Sequence, residues 1–71
     1  MVRLNNVEYD YVPGKCLKEV VDIYNTAHPI KVGFEEFIVI VKSTAIGVSQ
    51  APERVLQDND NVFIFPQLDG G

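Results

Sequence analysis

The stretch Leu56-Gln57-Asp58-Asn59-Asp60-Asn61-Val62-Phe63-Ile64-Phe65-Pro66-Gln67-Leu68-Asp69-Gly70-Gly71 decides how the chain reads. Residues 58–61 are turn formers, because short polar side chains bond their own backbone and tolerate left-handed conformations. Residues 62–65 are apolar, aromatic or β-branched and predict a strand. Pro66 lacks the N–H that a ladder needs, and two glycines follow it. The sequence therefore predicts one domain over residues 1–71, in which 66–71 form an extended, flexible C-terminal tail. Pro66 and the residues to Asp69 aim that tail off the sheet.

Working outward, the N-terminal dozen residues show the same period of two. Val2, Leu4, Val7, Tyr9 and Tyr11 alternate with Arg3, Glu8 and Asp10, as half-buried strands do. Asn5-Asn6 supplies the positive-φ residues of a tight hairpin turn. Pro13-Gly14 closes the second strand. The period then changes to that of a helix: Leu17, Val20, Val21 and Tyr24 fall at i, i+3, i+4 and i+7, an amphipathic stripe about three turns long. It ends near His28, since Pro29 disfavours helix at the residue before it. Residues 37–41 (FIVIV) predict a third strand. Residues 43–52 read as loop, with Ile46 and Val48 able to form a short edge strand, and 51–56 with room for one helical turn.

These elements make an α+β domain: a mixed sheet of four or five strands with one main helix across one face. The helix covers a single face, yet 37–41 and 62–65 carry apolar side chains on both. About half of Phe37, Ile38, Val39, Ile40, Phe63 and Phe65 are therefore expected on the open face, where an apolar patch marks a protein partner. Phe37, Val39, Phe63 and Phe65 are the candidates for that docking surface. The alternative is that residues 43–56 fold under the sheet and cover it.

Composition narrows the function. Ten acidic against six basic residues give a net charge of −4, so nucleic-acid binding has no electrostatic support and a basic partner surface is the natural counterpart. One cysteine, Cys16, excludes an internal disulfide and a cysteine-rich metal or iron–sulfur site. No apolar run approaches membrane-spanning length, and the sequence reads as soluble and cytoplasmic, with no membrane role. Cys16, near a helix start, is a packed small residue more often than a nucleophile. His28 has no partner nearby in sequence for catalysis. Asp58 and Asp60 lack the twelve-residue spacing of a calcium loop. Tyr9, Tyr11 and Tyr24 fall at core spacing. No catalytic or metal-ligating set emerges.

The turn Leu56-Gln57-Asp58-Asn59-Asp60-Asn61-Val62, the apolar strand after it and the final Gly70-Gly71 resemble the L-x-[DN]-[GN]-D-x-V turn and di-glycine end of the β-grasp, ubiquitin-like sulfur carriers ThiS and MoaD. The β-β-α-β-β order matches over essentially the whole chain, and residues 12–17 are similar to the family's turn into its helix. The chain departs from the pattern at Asn59, where glycine is usual, at Cys16, where a threonine cap is common, and at residues 41–44, which lack the usual Asn-Gly turn. The resemblance implies a β-grasp fold and a carrier, not an enzyme, with no bound cofactor. It further implies that an activating enzyme uses ATP to adenylate the carboxylate of Gly71. Sulfur derived from a cysteine desulfurase then gives a thiocarboxylate, which a sulfur-accepting synthase consumes. Gly70, Asp69 and Leu68 enter the partner's active site with Gly71, where a Cβ on either glycine would clash. Two terminal glycines arise by chance in about 0.5% of chains, so their weight comes from the turn and strand before them. The short length favours the thiamine thiazole pathway. A molybdopterin-synthase small subunit and a carrier for another sulfur pathway are the alternatives. In a different class stand a ubiquitin-like protein modifier and a non-covalent β-grasp binding module.

Overall fold

The computed structural model describes residues 1–67. Five strands and one helix follow in the order β1 (Val2–Leu4), β2 (Val7–Tyr9), α1 (Leu17–Ala27), β3 (Phe37–Val41), β4 (Thr44–Ile46) and β5 (Asn61–Pro66). The strands form one mixed sheet, ordered β2-β1-β5-β3-β4. β1 and β5 are neighbours and run parallel at its centre, while β1–β2, β3–β4 and β3–β5 are antiparallel. This α+β arrangement is compatible with a β-grasp. Leu68, Asp69, Gly70 and Gly71, which carry the chemistry expected from the sequence, lie outside the described residues.

The helix stripe lands where the periodicity puts it. Leu17, Val20 and Val21 are buried and join Val2, Leu4, Val39, Val41, Val62 and Ile64 from the sheet in one core. Each fully buried aliphatic side chain contributes about 1.5–3 kcal/mol relative to exposure. Ala51 and Leu56 complete that core, so the long connection between β4 and β5 packs with the helix side of the sheet. Its backbone also meets the free N–H groups of the first helical turn: Leu17 N–H donates to Arg54 O at 2.8 Å and Lys18 N–H to Pro52 O at 3.0 Å. At Cys16 the Glu19 carboxylate accepts the backbone N–H at 3.0 Å, an acidic group placed where the helix dipole favours it. At the other end, His28 Nδ1 lies 2.9 Å from Tyr24 O. Since a carbonyl only accepts, Nδ1 carries the hydrogen. The imidazole also stacks on the Tyr24 ring, with centroids 4.1 Å apart.

The turns explain the connections. Asn5 and Asn6 have φ of 50° and 69°, the two left-handed residues expected of the first hairpin. Lys42 and Ser43 adopt φ of 49° and 68°, with Val41 paired to Thr44 across them. The second hairpin thus uses the same two-residue primed turn without asparagine or glycine. Its geometry is imposed by sheet pairing on both sides, not by local preference. The strain predicts a gain: Ser43→Gly should raise stability by about 0.5–1 kcal/mol and the melting temperature by about 2–8 °C. Thermal unfolding followed by circular dichroism checks this, and an unchanged or lower midpoint would show the turn to be unstrained.

Several sequence expectations shift. The last strand extends to Asn61 and Pro66. Its turn spans Gln57 to Asp60, closed by Asp60 N–H to Gln57 O at 3.1 Å, with Asn59 at φ 70°. Pro66 stays on the sheet, paired with Phe37. The hydrogen bond from Gln67 N–H to Glu36 O makes that pair a non-hydrogen-bonded one, so the missing N–H of Pro66 faces away from β3. Residues 51–53 lie in a turn, Val55 bridges Cys16, and none of 51–56 is helical. Tyr11 is exposed, while Tyr9 and Tyr24 pack against the core.

Candidate functional site

Cross-strand register sorts the side chains of β3 and β5 between the two faces. Val39 opposes Ile64 and Val41 opposes Val62, all four buried on the helix side. Ile38 opposes Phe65 and Ile40 opposes Phe63, so these four share the other face. Phe63 and Phe65 are 37% and 42% exposed, so this face is open to solvent among the described residues. Ala45 of β4 pairs with Ile40 and extends the surface. Toward β1, Arg3 pairs with both Glu8 and Asn61, and its guanidinium lies 3.3 Å from the Glu8 carboxylate. The result is an apolar patch with a polar border.

Two of the four side chains expected on that surface sit elsewhere. Val39 is 1% exposed, and Phe37 packs against the core. Strand alternation requires this once Val41 and Val62 face the helix: odd-numbered residues of β3 point inward and even-numbered ones outward. Ile38 and Ile40 take their places beside Phe63 and Phe65. The sequence showed an apolar run with no polar residue to mark its outer side, so its phase could not be read.

The turn leading into β5 is held by its own side chains. Asp60, 2% exposed, accepts Gln57 N–H at Oδ2 at 2.8 Å and has Lys42 Nζ 3.3 Å from Oδ1. Its backbone carbonyl accepts Arg3 N–H at 2.9 Å. Asp58 accepts from the N-terminal ammonium at 2.6 Å, and that hydrogen bond holds its carboxyl below the ordinary range. Among the described residues, no three His, Cys, Asp or Glu side chains are grouped to hold a metal. The phenol of Tyr9 is raised above its ordinary pKa by burial first and by nearby Tyr24 second. Its hydroxyl has no hydrogen-bond partner among the described residues.

Asn5 is a positional residue that sequence reasoning assigned to the turn alone. Its Oδ1 accepts Ile64 N–H at 2.8 Å and its Nδ2 donates to Ile64 O at 3.0 Å. The side chain thereby continues, as a surrogate strand, the parallel ladder that β1 abandons at Leu4. It holds the middle of β5, on which Phe63 and Phe65 are mounted.

A shallow groove is lined by Gly33, Phe34, Glu35, Val48, Ser49 and Pro52. It presents one carboxylate and no thiol, imidazole or amine, which is too little for acid–base or nucleophilic chemistry. His28 and Cys16 are not among its lining residues.

No protein-family model matches the chain, and no curated protein matches it significantly. No described helix is long and apolar enough to cross a membrane.

Proposed function

We propose that the chain is a β-grasp sulfur carrier, which docks on its partners through the open face of Ile38, Ile40, Phe63 and Phe65 and presents the carboxylate of Gly71 to their active sites. The observation that carries this reading is the last strand. β5 lies at the centre of the sheet, exposes two phenylalanines on one face, and leads within five residues of Pro66 to Gly70-Gly71. A strand buried on one face and aromatic on the other supports recognition by a protein. A di-glycine so close to that surface supports chemistry at the tail.

The chemistry belongs to the partners. A carboxylate is a poor acyl donor, and attack on the α-phosphate of ATP converts it to an acyl adenylate with loss of pyrophosphate. A sulfur nucleophile, supplied as cysteine-desulfurase-derived persulfide, attacks the acyl carbon and expels AMP. Reductive release from that sulfur's carrier, by a thiol, leaves the thiocarboxylate. A synthase then takes the sulfur and returns the carboxylate. In this reading the chain contributes recognition and reach, and the groups that do the chemistry are its partners'. Thiazole formation for thiamine is the favoured destination, with the small-subunit role in molybdopterin synthase as the alternative.

Intact-mass spectrometry tests the reading. The 71-residue chain, incubated with ATP, a sulfur source and an adenylating enzyme of the ubiquitin-activating type, should gain the mass difference of one sulfur for one oxygen. Removal of Gly71 should abolish the gain. Higher-mass conjugates on lysines would instead establish a protein modifier, and binding without any mass change would establish a non-covalent module.

A further inference from the structure

The last described residues are held by a backbone contact that local preference does not favour. Phe37 N–H donates to Phe34 O at 3.3 Å, closing a turn in which Glu36 is the third residue with φ 63°. That position takes glycine or asparagine by default, since left-handed backbone disfavours longer L side chains. Glu36 is neither. The conformation turns its carbonyl toward β5, where it accepts Gln67 N–H at 2.8 Å. Phe37 and Pro66 form the last pair of the ladder, and Phe37 also lies 3.7 Å from where a Cβ on Gly33 would sit. The turn and the strand end therefore converge on Gln67. A disfavoured conformation retained where the chain is about to leave the sheet is a ground for seeking a function there.

We infer that Glu36 and Gln67 form a clamp that fixes the root of the C-terminal tail, making both of them positioning residues for the chemistry at Gly71. The inference rests on the carrier reading. In the carrier reading the residues after Gln67 reach into a partner's active site, and a fixed root sets the point from which they reach. Opening the clamp frees Gln67, and the partner must then re-order that residue each time it binds. The entropy of one backbone residue corresponds to about a 5- to 30-fold loss of affinity.

Three variants separate positioning from structure. An amide-to-ester replacement at Gln67, made by semisynthesis, removes the N–H and keeps every side chain. Glu36→Val forces a β-branched residue into left-handed backbone, and Glu36→Asn loses the same charge but accepts that conformation. With an activating enzyme that adenylates the wild-type chain, the ester and Glu36→Val should raise KM about 5- to 30-fold at unchanged kcat, whereas Glu36→Asn should keep the wild-type KM. Hydrogen exchange should show a protected Gln67 amide in wild type and Glu36→Asn. A wild-type Gln67 amide exchanging at the unprotected rate overturns the clamp, and melting temperatures that fall without any rise in KM overturn its positioning role. A wild-type chain that is never adenylated, while its Gln67 amide is protected, sinks the carrier reading and the positioning role with it, but not the contact itself.

Discussion

Replacing Phe63 and Phe65 together by threonine is expected to lower the efficiency of adenylation by the activating enzyme by about 100-fold or more, while the domain stays folded. Both rings stand on the face away from the helix and are 37% and 42% exposed, so removing them opens no core cavity. The loss to folding is the cross-strand contact with Ile40 and Ile38, about 0.2–1 kcal/mol for each pair, and threonine keeps the strand preference. In the proposed interface the same rings would be central aromatic anchors, where truncation costs about 2 kcal/mol or more. Two neighbouring anchors are not additive, and about 3 kcal/mol corresponds to a little over 100-fold. Steady-state kinetics with the wild-type and double-variant chains read the change, and thermal unfolding reads the fold. A double variant that is adenylated as efficiently as wild type would remove the open face from recognition and leave the tail as the sole determinant.

The contrast between Phe65 and Phe37 shows what the sequence made legible. Alternation in residues 1–9 and the helix stripe from Leu17 to Tyr24 carry polar residues on their outer sides, so both elements could be placed with their faces assigned. β3 reads FIVIV, without a polar residue in it, so its existence was legible but its phase was not. Only the pairing of Val41 with Val62, and of Val62 with Leu4, turns its odd-numbered residues to the helix. The β3–β4 hairpin was hidden for a different reason. Lys42-Ser43 has none of the chemistry of a primed turn, and register between β3 and both its neighbours overrides local preference. The turn before β5 was legible within one residue because Asp58 and Asp60 act through their own short side chains and Asn59 tolerates a left-handed backbone. The burial of Asp60 against Lys42 and Gln57 was not legible, since nothing in its spacing marks it. The role of Asn5 was invisible for the same cause, because its partner Ile64 is 59 residues away.

Through those bonds Asn5 ties β1 to β5, the two halves of the sheet. Asn5→Ala is expected to destabilise the domain by about 3–4 kcal/mol, with two separable parts. The amide makes paired hydrogen bonds to the N–H and carbonyl of Ile64, in a part-buried position at the sheet centre. Losing it removes about 1 kcal/mol for each bond and adds a penalty for polar groups left unmet. The backbone at φ 50° adds about 1 kcal/mol more, since alanine lacks the local bonding that lets asparagine visit this region. A 71-residue domain has a total stability of about 4–11 kcal/mol, so the loss is a large share of the whole. Asn5→Gly relieves the backbone and should cost about 2–3 kcal/mol. Asn5→Asp keeps an acceptor for Ile64 N–H but sets a carboxylate against the Ile64 carbonyl, and should be no better than alanine at neutral pH. Urea unfolding of the three variants measures each step, with a common slope showing that the same surface is exposed. If Asn5→Gly matched wild type, the side chain would serve only its own turn, and β1 and β5 would be held together by the two residue pairs Arg3–Asn61 and Leu4–Val62 and the core beneath them.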